Sequence, residues 1–403
     1  MNEFLIHYAF LIVPIVKIVI LVFLVLTVDA YLTWIERKVI AHIQGRWGPH
    51  RTGPHGLLQP LADGVKFIFK EDPMPAQADK LAYFLAPFLT LLLALTSLAV
   101  IPFGPQHFTV FGYESHMGIA DVNISLLVLF AITALAVYGV ALAGWASNNK
   151  YSLLGGLRSS AQMISYELAL TLSVVGVLLI AGDFSLRNIV DQQAGSGNGL
   201  LSWNVFPQII GFVCFFIAAI AETNRVPFDL PEAESELVAG FHTEYASMKF
   251  AMFFIAEYTS MITVSCLATI MFFGGWLSPF PDSWTFTHYF PSVMLIPFGL
   301  WVIFDGLRYE NLFGRVMLPG VGTALTAIGA ALIVFPVVND AIQGIFWFMA
   351  KVFTFLFVYI WMRGTLPRFR YDQLMSFGWK FLLPVSIANV VLTSVVILWR
   401  MHG

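Results

Sequence analysis

The sequence is short of charge and almost without cysteine. Charged residues make up 11 % of the 403, against about 25 % in soluble domains. Hydrophobic residues make up 58 %, and the mean hydropathy is +0.79. So little charge excludes a soluble globular domain and points to an all-α, polytopic transmembrane helix bundle. The two cysteines, Cys214 and Cys266, are far apart, each in an apolar run. They supply no C-x-x-C pair, no iron–sulfur ligand set and no disulfide framework, and read as small apolar fillers. A glycine-rich dinucleotide fingerprint and a P-loop are also missing, so no nucleotide is expected to bind by those motifs. Flavin, metal, iron–sulfur cluster and nucleic acid are not expected on this chain. Repeats, low-complexity tracts and a soluble appendix are absent too, so residues 1–403 read as one integral membrane domain.

Ten apolar runs approach the ~20 residues that cross a bilayer. They lie near 8–33, 82–102, 123–145, 163–182, 205–221, 248–273, 290–306, 315–338, 344–362 and 379–399. The first is too long for a cleavable signal peptide. Basic residues gather in alternate loops. Of the 21 lysines and arginines, only Lys17, Arg187, Lys351 and Arg400 fall elsewhere. By the positive-inside rule the basic side is cytoplasmic and both termini are outside. In a bacterium this implies a multi-pass protein of the inner (plasma) membrane. Counting 290–306 and 315–338 as two crossings keeps Arg363, Arg368 and Arg370 on the basic side. In the first basic loop Leu57, Leu58, Leu61, Val65, Ile68 and Phe69 recur at helical spacing, which predicts an amphipathic helix on the membrane surface.

The segment 222–247 is an acidic loop. It carries Glu222, Asp229, Glu232, Glu234, Glu236 and Glu244, and Glu257 follows in the next apolar run; the whole chain has 24 acidic residues. Glu232 and Glu236 would share a helix face. Carboxylates held close together cannot all ionise easily, which makes them proton carriers. The plainer alternative is that Glu232 and Glu234 decorate a helix N-terminus begun by Asp229 and Pro231. Lys17, Asp29, Glu167, Glu257 and Lys351 lie inside apolar runs, where an ionisable group faces protein or water rather than lipid. Asp29 and Lys351 lie close enough to the edges to snorkel. Lys17 lies too deep and needs a partner.

A third constellation is Trp34-Ile-Glu36-Arg37-Lys, then Gly45-Arg46-Trp-Gly-Pro-His-Arg51-Thr-Gly-Pro-His-Gly. Its glycines and prolines end the helix and set turns. Its arginines suit anionic lipid, a partner's carboxylates or a quinone head group; positive-inside charge alone is the bland alternative. His42, His50 and His55 lack metal-ligand spacing on one helix.

These same residues carry a resemblance. E-R-K from Glu36, G-P-H-G-L-L-Q-P-L-A-D-G-V-K from Gly53 and G-W-A-S-N-N-K-Y-S-L-L-G-G-L-R from Gly144 are three of its motifs. A-Q-M-I-S-Y-E from Ala161, the A-E-T-N-R-V-P-F-D-L-P-E-A-E-S-E-L-V-A-G run from Ala221 and E-Y from Glu244 are three more. A-E-Y from Ala256 and P-R-F-R-Y-D-Q-L-M from Pro367 complete the set. In this order they resemble the H subunit of proton-pumping NADH:quinone oxidoreductase, respiratory complex I, which is subunit 1 in mitochondria. The resemblance implies a membrane-arm subunit that helps form the quinone chamber beside the two quinone-facing subunits of the peripheral arm. Ubiquinone or menaquinone would be the substrate, reduced by a partner's iron–sulfur cluster. Neighbouring small membrane subunits and lipid would be further partners. It implies a proton path through Glu167, Glu222, Asp229, Glu232, Glu234, Glu236, Glu244 and Glu257. Glu36, Arg37, Arg46, Arg51, Asp63 and Lys66 would line or support the chamber. Arg363, Arg368, Arg370 and Asp372 would lie at the cytoplasmic face.

One departure stands out. The family has eight spans, whereas here the segment 274–343 adds roughly fifty residues and two extra spans, an inserted hairpin. Two rival readings are the equivalent subunit of a membrane-bound hydrogenase or related dehydrogenase, and a secondary cation transporter. The intact E-A-E-S-E and P-R-F-R-Y-D-Q-L-M runs favour complex I over the first. The lack of an inverted repeat with broken helices argues against the second.

Overall fold

Within a bilayer no water is present to bond to the backbone, so apolar runs must satisfy their amides internally and become helices. The computed structural model describes residues 8–105, 107–110, 113–195, 199–229, 238–281, 283–309 and 311–402. Its helices are α1 (Ala9–Ile43), α2 (Gln59–Phe69), α3 (Lys80–Ser97), α4 (Ser125–Ala146), α5 (Lys150–Ala181), α6 (Leu186–Ala194) and α7 (Ile209–Glu222). After these come α8 (Ser247–Phe272), α9 (Phe290–Leu307), α10 (Leu312–Val334), α11 (Pro336–Thr365), α12 (Tyr371–Phe377) and α13 (Leu383–His402). A π-helical turn, Gly378–Leu382, joins the last two into one span. Between α3 and α4 a small antiparallel hairpin pairs β1 (His107–Val110) with β2 (Tyr113–His116).

Among the described residues nine helices are long and apolar enough to cross a membrane. The tenth expected span, 205–221, is the 14-residue α7, short of the ~20 that crossing requires. It packs on α5, α8 and α13, which bury its second half, while Phe206, Ile209, Ile210 and Val213 stay exposed. The polar groups there are held: Gln208 donates to Thr393 Oγ1 and accepts from Asn389, both at 2.8 Å. Irregular backbone at membrane depth is tolerated when buried in this way.

The most and the least apolar spans differ most in burial. The window of α1 is the most apolar, at 3.1, and only 17 % buried. The window of α8 is the least apolar, at 1.5, and 67 % buried. Lipid is as apolar as leucine, so the greasiest helices face it. Those with hydroxyls turn inward, where neighbours satisfy them. Thr259, Thr263, Ser265 and Thr269 of α8 are all buried. The last three bond back to carbonyls four residues earlier, and α8 becomes the core helix.

The loops sort into two ends. Ser247 Oγ reaches Phe67 O, Tyr83 OH reaches Glu244 O, and the Phe369 amide reaches Pro227 O. These bonds gather the basic loops on one face. On the other, two lysines hold the loops. Lys351 Nζ donates to the carbonyls of Phe273, Gly275 and Leu277 at 2.7–2.8 Å, over the Trp203 ring. It therefore does not snorkel: its ammonium closes the turn after α8. Lys17 donates to the carbonyls of His116 and Gly118. Depth suggests a neighbouring subunit or a carboxylate as partner for that cation; backbone carbonyls of its own chain bind it here. Asp29 does not snorkel either; it is 2 % exposed and accepts from Thr259 Oγ1 at 2.8 Å.

Helices α9 and α10 form the expected hairpin. A Cβ at Gly299 would stand 2.8 Å from Gly322 O, and one at Gly322 would stand 2.6 Å from Gly299 O. Small residues at the crossing let the two backbones touch, the usual way apolar helices associate in lipid. Helix α2 forms as its spacing predicts. Leu61, Ile68 and Phe69 remain exposed, as suits a helix lying on a membrane surface.

Candidate functional site

With 35 residues, α1 is about 50 Å long, well beyond a ~30 Å hydrocarbon core. Its last turns emerge at the basic end carrying Glu36 and Arg37. There Glu36 meets three groups from distant parts of the chain. Arg225, just after α7, approaches it with Nη2 3.2 Å from Oε2. Tyr258 OH of α8 donates to Oε2 at 2.8 Å. Arg363, in the last turn of α11, bonds Oε1. Arg225 also holds Glu257, Nε to Oε1 at 3.0 Å, and stacks over the Tyr258 ring at 4.3 Å. One guanidinium thus links two carboxylates, and the side chains of Arg225 and Glu36 are 6 % and 5 % exposed. The planar fork of arginine makes this possible; lysine would offer a point charge.

Above this cluster opens a cavity of about 740 Å³. Its walls include Glu36, Arg37, Arg46, Tyr258, Arg363 and Arg368. Arg37 pairs with Asp63 of α2 at 2.7 Å, and Arg368 pairs with the buried Asp229 at 3.0 Å. Phe228 stacks on Phe369 and holds the two loops together. So Glu36, Arg37 and Arg46 share one cavity with Arg363 and Arg368, which the resemblance put at the cytoplasmic face, and Asp63 lies one contact behind. Arg51, Lys66, Arg370 and Asp372 lie elsewhere and are exposed; Arg370 and Asp372 face each other at 3.5 Å.

A second, smaller cavity of about 60 Å³ lies deeper. Glu222, Glu257, His242 and Ser260 are on its wall. It has room for a few water molecules. Glu167 lies near enough to Glu222 for their charges to interact, as Asp229 does to Glu257. Glu244 is farther along, receiving Asn149 Nδ2 at 2.6 Å. Burial pushes the His242 pKa down to about 4, so its ring is neutral at pH 7. Glu232, Glu234 and Glu236, and the first helical position expected at Pro231, lie outside the described residues.

The sequence matches the family described as NADH dehydrogenase over residues 16–394. It is 51 % identical to the first of the NADH-quinone oxidoreductase H subunits of Solibacter usitatus (strain Ellin6076), over 97 % of this chain and 98 % of that one. The chain belongs to the family of NADH-quinone oxidoreductase H subunits. The second H subunit of Koribacter versatilis (strain Ellin345) is 48 % identical over 96 % of this chain and 97 % of its own. A Thermomicrobium roseum (strain ATCC 27502 / DSM 5159 / P-2) member is 44 % identical over 92 % of each.

Within this family member, sequence reasoning missed Arg225, Tyr258 and His242 as site residues. Arg225 was legible only as one basic residue flanking an acidic loop. A lone arginine between two apolar runs that both carry glutamate was the available signal. Replacing it by Ala leaves Glu36 and Glu257 buried and uncompensated, at a cost of about 3–5 kcal/mol. Arg225→Ala should abolish assembly of the complex in mild-detergent blue-native gels, while Arg225→Lys should retain part of it.

Proposed function

We propose that this chain is the membrane-arm H subunit of a proton-translocating NADH:quinone oxidoreductase. It forms part of the chamber in which quinone is reduced, and it passes the consequence of that reduction into a chain of carboxylates. The observation that carries the reading is Glu36: its side chain is on the wall of the large cavity and also shares Arg225 with Glu257. Family membership supports the complex, and the cavity's place at the end of the span helices supports a substrate that arrives from lipid. The hydrogenase and transporter readings draw no comparable support.

Reduction of a quinone to a quinol takes two electrons and two protons. With two cysteines far apart, this chain supplies no cluster, so the electrons come from a partner of the peripheral arm. Arg37, Arg46, Arg363 and Arg368 give the chamber mouth positive charge, suited to a head group that gains negative charge before it is protonated. A change of charge there acts on Glu36 first. Arg225 then holds Glu257 more or less strongly, because one guanidinium serves both. From Glu257 the small cavity leads to Glu222 and Glu167, and Glu232, Glu234, Glu236 and Glu244 extend the acidic path. Arg51, Lys66, Arg370 and Asp372 belong, on this reading, to the face that meets partner subunits and lipid headgroups. The basic end is the cytoplasmic side of a bacterial inner membrane, with both termini outside. Segment 222–247 is the cytoplasmic acidic loop, and 274–343 is the addition to an eight-span plan.

Three outcomes follow. Arg37→Ala or Arg46→Ala should raise the apparent KM for a short-chain quinone about tenfold, a loss of about 1.4 kcal/mol of binding. NADH oxidation by an artificial acceptor that bypasses quinone should stay unchanged; an equal fall in both activities would mean failed assembly instead. Glu257→Gln should leave the complex assembled and lower quinone-linked proton uptake by inverted vesicles about tenfold or more. Normal pumping would remove Glu257 from the path. Finally, Asn311→Cys should react with a membrane-impermeant thiol reagent in inverted vesicles and not in intact cells. Labelling of intact cells would reverse the orientation.

A further inference from the structure

The α9–α10 hairpin has no role in the chemistry above, yet its turn is tied to the cavity. His55, in the Gly-Pro-His-Gly turn after α1, is held twice by it. The His55 ring Nε2 lies 2.7 Å from Asp305 Oδ2, and its backbone amide donates to Tyr309 OH at 2.9 Å. The His55 and Tyr309 rings meet edge to face with centroids 5.4 Å apart. An Nε2–H donor is present in the protonated ring and in one neutral tautomer, so this bond does not require a charged histidine. His55 has φ +51°, a left-handed conformation that is unfavourable for a residue with a side chain. Such strain persists where surrounding contacts over-determine it, and here those contacts come from the hairpin.

Two short paths run from His55 to the cavity. Gly56, at φ +78°, packs so closely on Pro49 that a Cβ would stand 2.4 Å from the Pro49 carbonyl oxygen, and Pro49 is part of the cavity wall. On the other side, Thr52 Oγ1 bonds Gln59, Gln59 bonds Asp63, and Asp63 pairs with the cavity residue Arg37. The hairpin is also anchored at its opposite end. Phe290 packs on Trp347 of α11 at 5.1 Å, and Asn339 donates to His288 O at 2.7 Å. Between these ends its two helices pack mainly on each other.

We propose that the α9–α10 hairpin is a strut that positions the loop 45–58 at the mouth of the quinone chamber. Asp305 and Tyr309 act through His55 and are positioning residues; neither is part of the cavity wall. This rests on the chamber reading given above. The pair works as one unit, so removing either partner should have the effect of removing both.

The test is hydrogen–deuterium exchange on the purified complex, paired with quinone kinetics. Asp305→Ala should speed exchange of the amides of residues 53–58 about tenfold, as expected when a local opening loses a hydrogen bond. It should raise the KM for a short-chain quinone about fivefold with kcat and the bypass activity unchanged. His55→Ala combined with Asp305→Ala should be no worse than either alone, and Asp305→Glu should restore most of the wild-type behaviour. Tyr309→Phe, which keeps the ring and removes one oxygen, should give the same pattern at about threefold even if Asp305→Ala fails to assemble. Unchanged exchange in both variants overturns the strut. Faster exchange with an unchanged KM overturns the link to the chamber, unless Arg37→Ala also leaves KM unchanged. In that case the chamber reading has failed and the strut stands.

Discussion

Arg225 is the residue on which the rest of the site depends. A membrane interior offers no bulk water, so a charge placed there must be matched by groups of the same protein. Glu36 on α1 and Glu257 on α8 both lie beneath the cavity, and both are satisfied by one guanidinium that arrives from the end of α7. Tyr258 adds a hydroxyl to Glu36 and a ring face to Arg225. The end of α7 is thereby fixed to α1 and α8 by electrostatics where hydrophobic packing alone would leave them free to slide. The arrangement also explains how the site can transmit. Because one buried cation is shared by two anions, a change on the cavity side is felt on the other.

The same constraint explains the architecture around it. The most apolar helix, α1, sits at the lipid boundary, and α8, with its hydroxyls and Glu257, sits at the centre. At the far end Lys351 binds carbonyls of the turn after α8, and Lys17 binds carbonyls at the end of β2. Each ammonium meets backbone carbonyls that would otherwise lack donors. α7 can be short because the polar groups of the chain leading into it, Gln208 among them, are buried and bonded within the protein. In each case the backbone or side-chain polar group is paired first, and helix length and hydropathy follow from where lipid remains in contact.

The hairpin fits this logic in a different way. Its interior is held by glycines in close contact, which gives it rigidity without charge. Its polar groups are concentrated at the turn, where Asp305 and Tyr309 meet a left-handed histidine of the chamber loop. A rigid element anchored at both membrane faces can set the position of a loop that, by its own glycines and prolines, would hold many conformations.

Much of this was legible in the chain itself. Low charge and ~20-residue apolar runs determine a helical membrane protein, because no other structure satisfies its backbone in lipid. The alternation of basic loops determines which loops share a face, and the structure groups them as that alternation requires. The Glu36, Arg37, Arg46, Arg363 and Arg368 constellation was visible as motifs on a resemblance. What the sequence could not determine is pairing across hundreds of positions. That Arg225 joins Glu36 to Glu257, or that Asp305 reaches His55, depends on how helices pack, and packing has no period along the chain. Snorkelling of Asp29 and Lys351 was a fair expectation from depth alone. It fails because Thr259 lies beside one and three carbonyls beside the other. Only tertiary structure decides this, since a hydrogen-bond partner is a neighbour in space rather than in sequence.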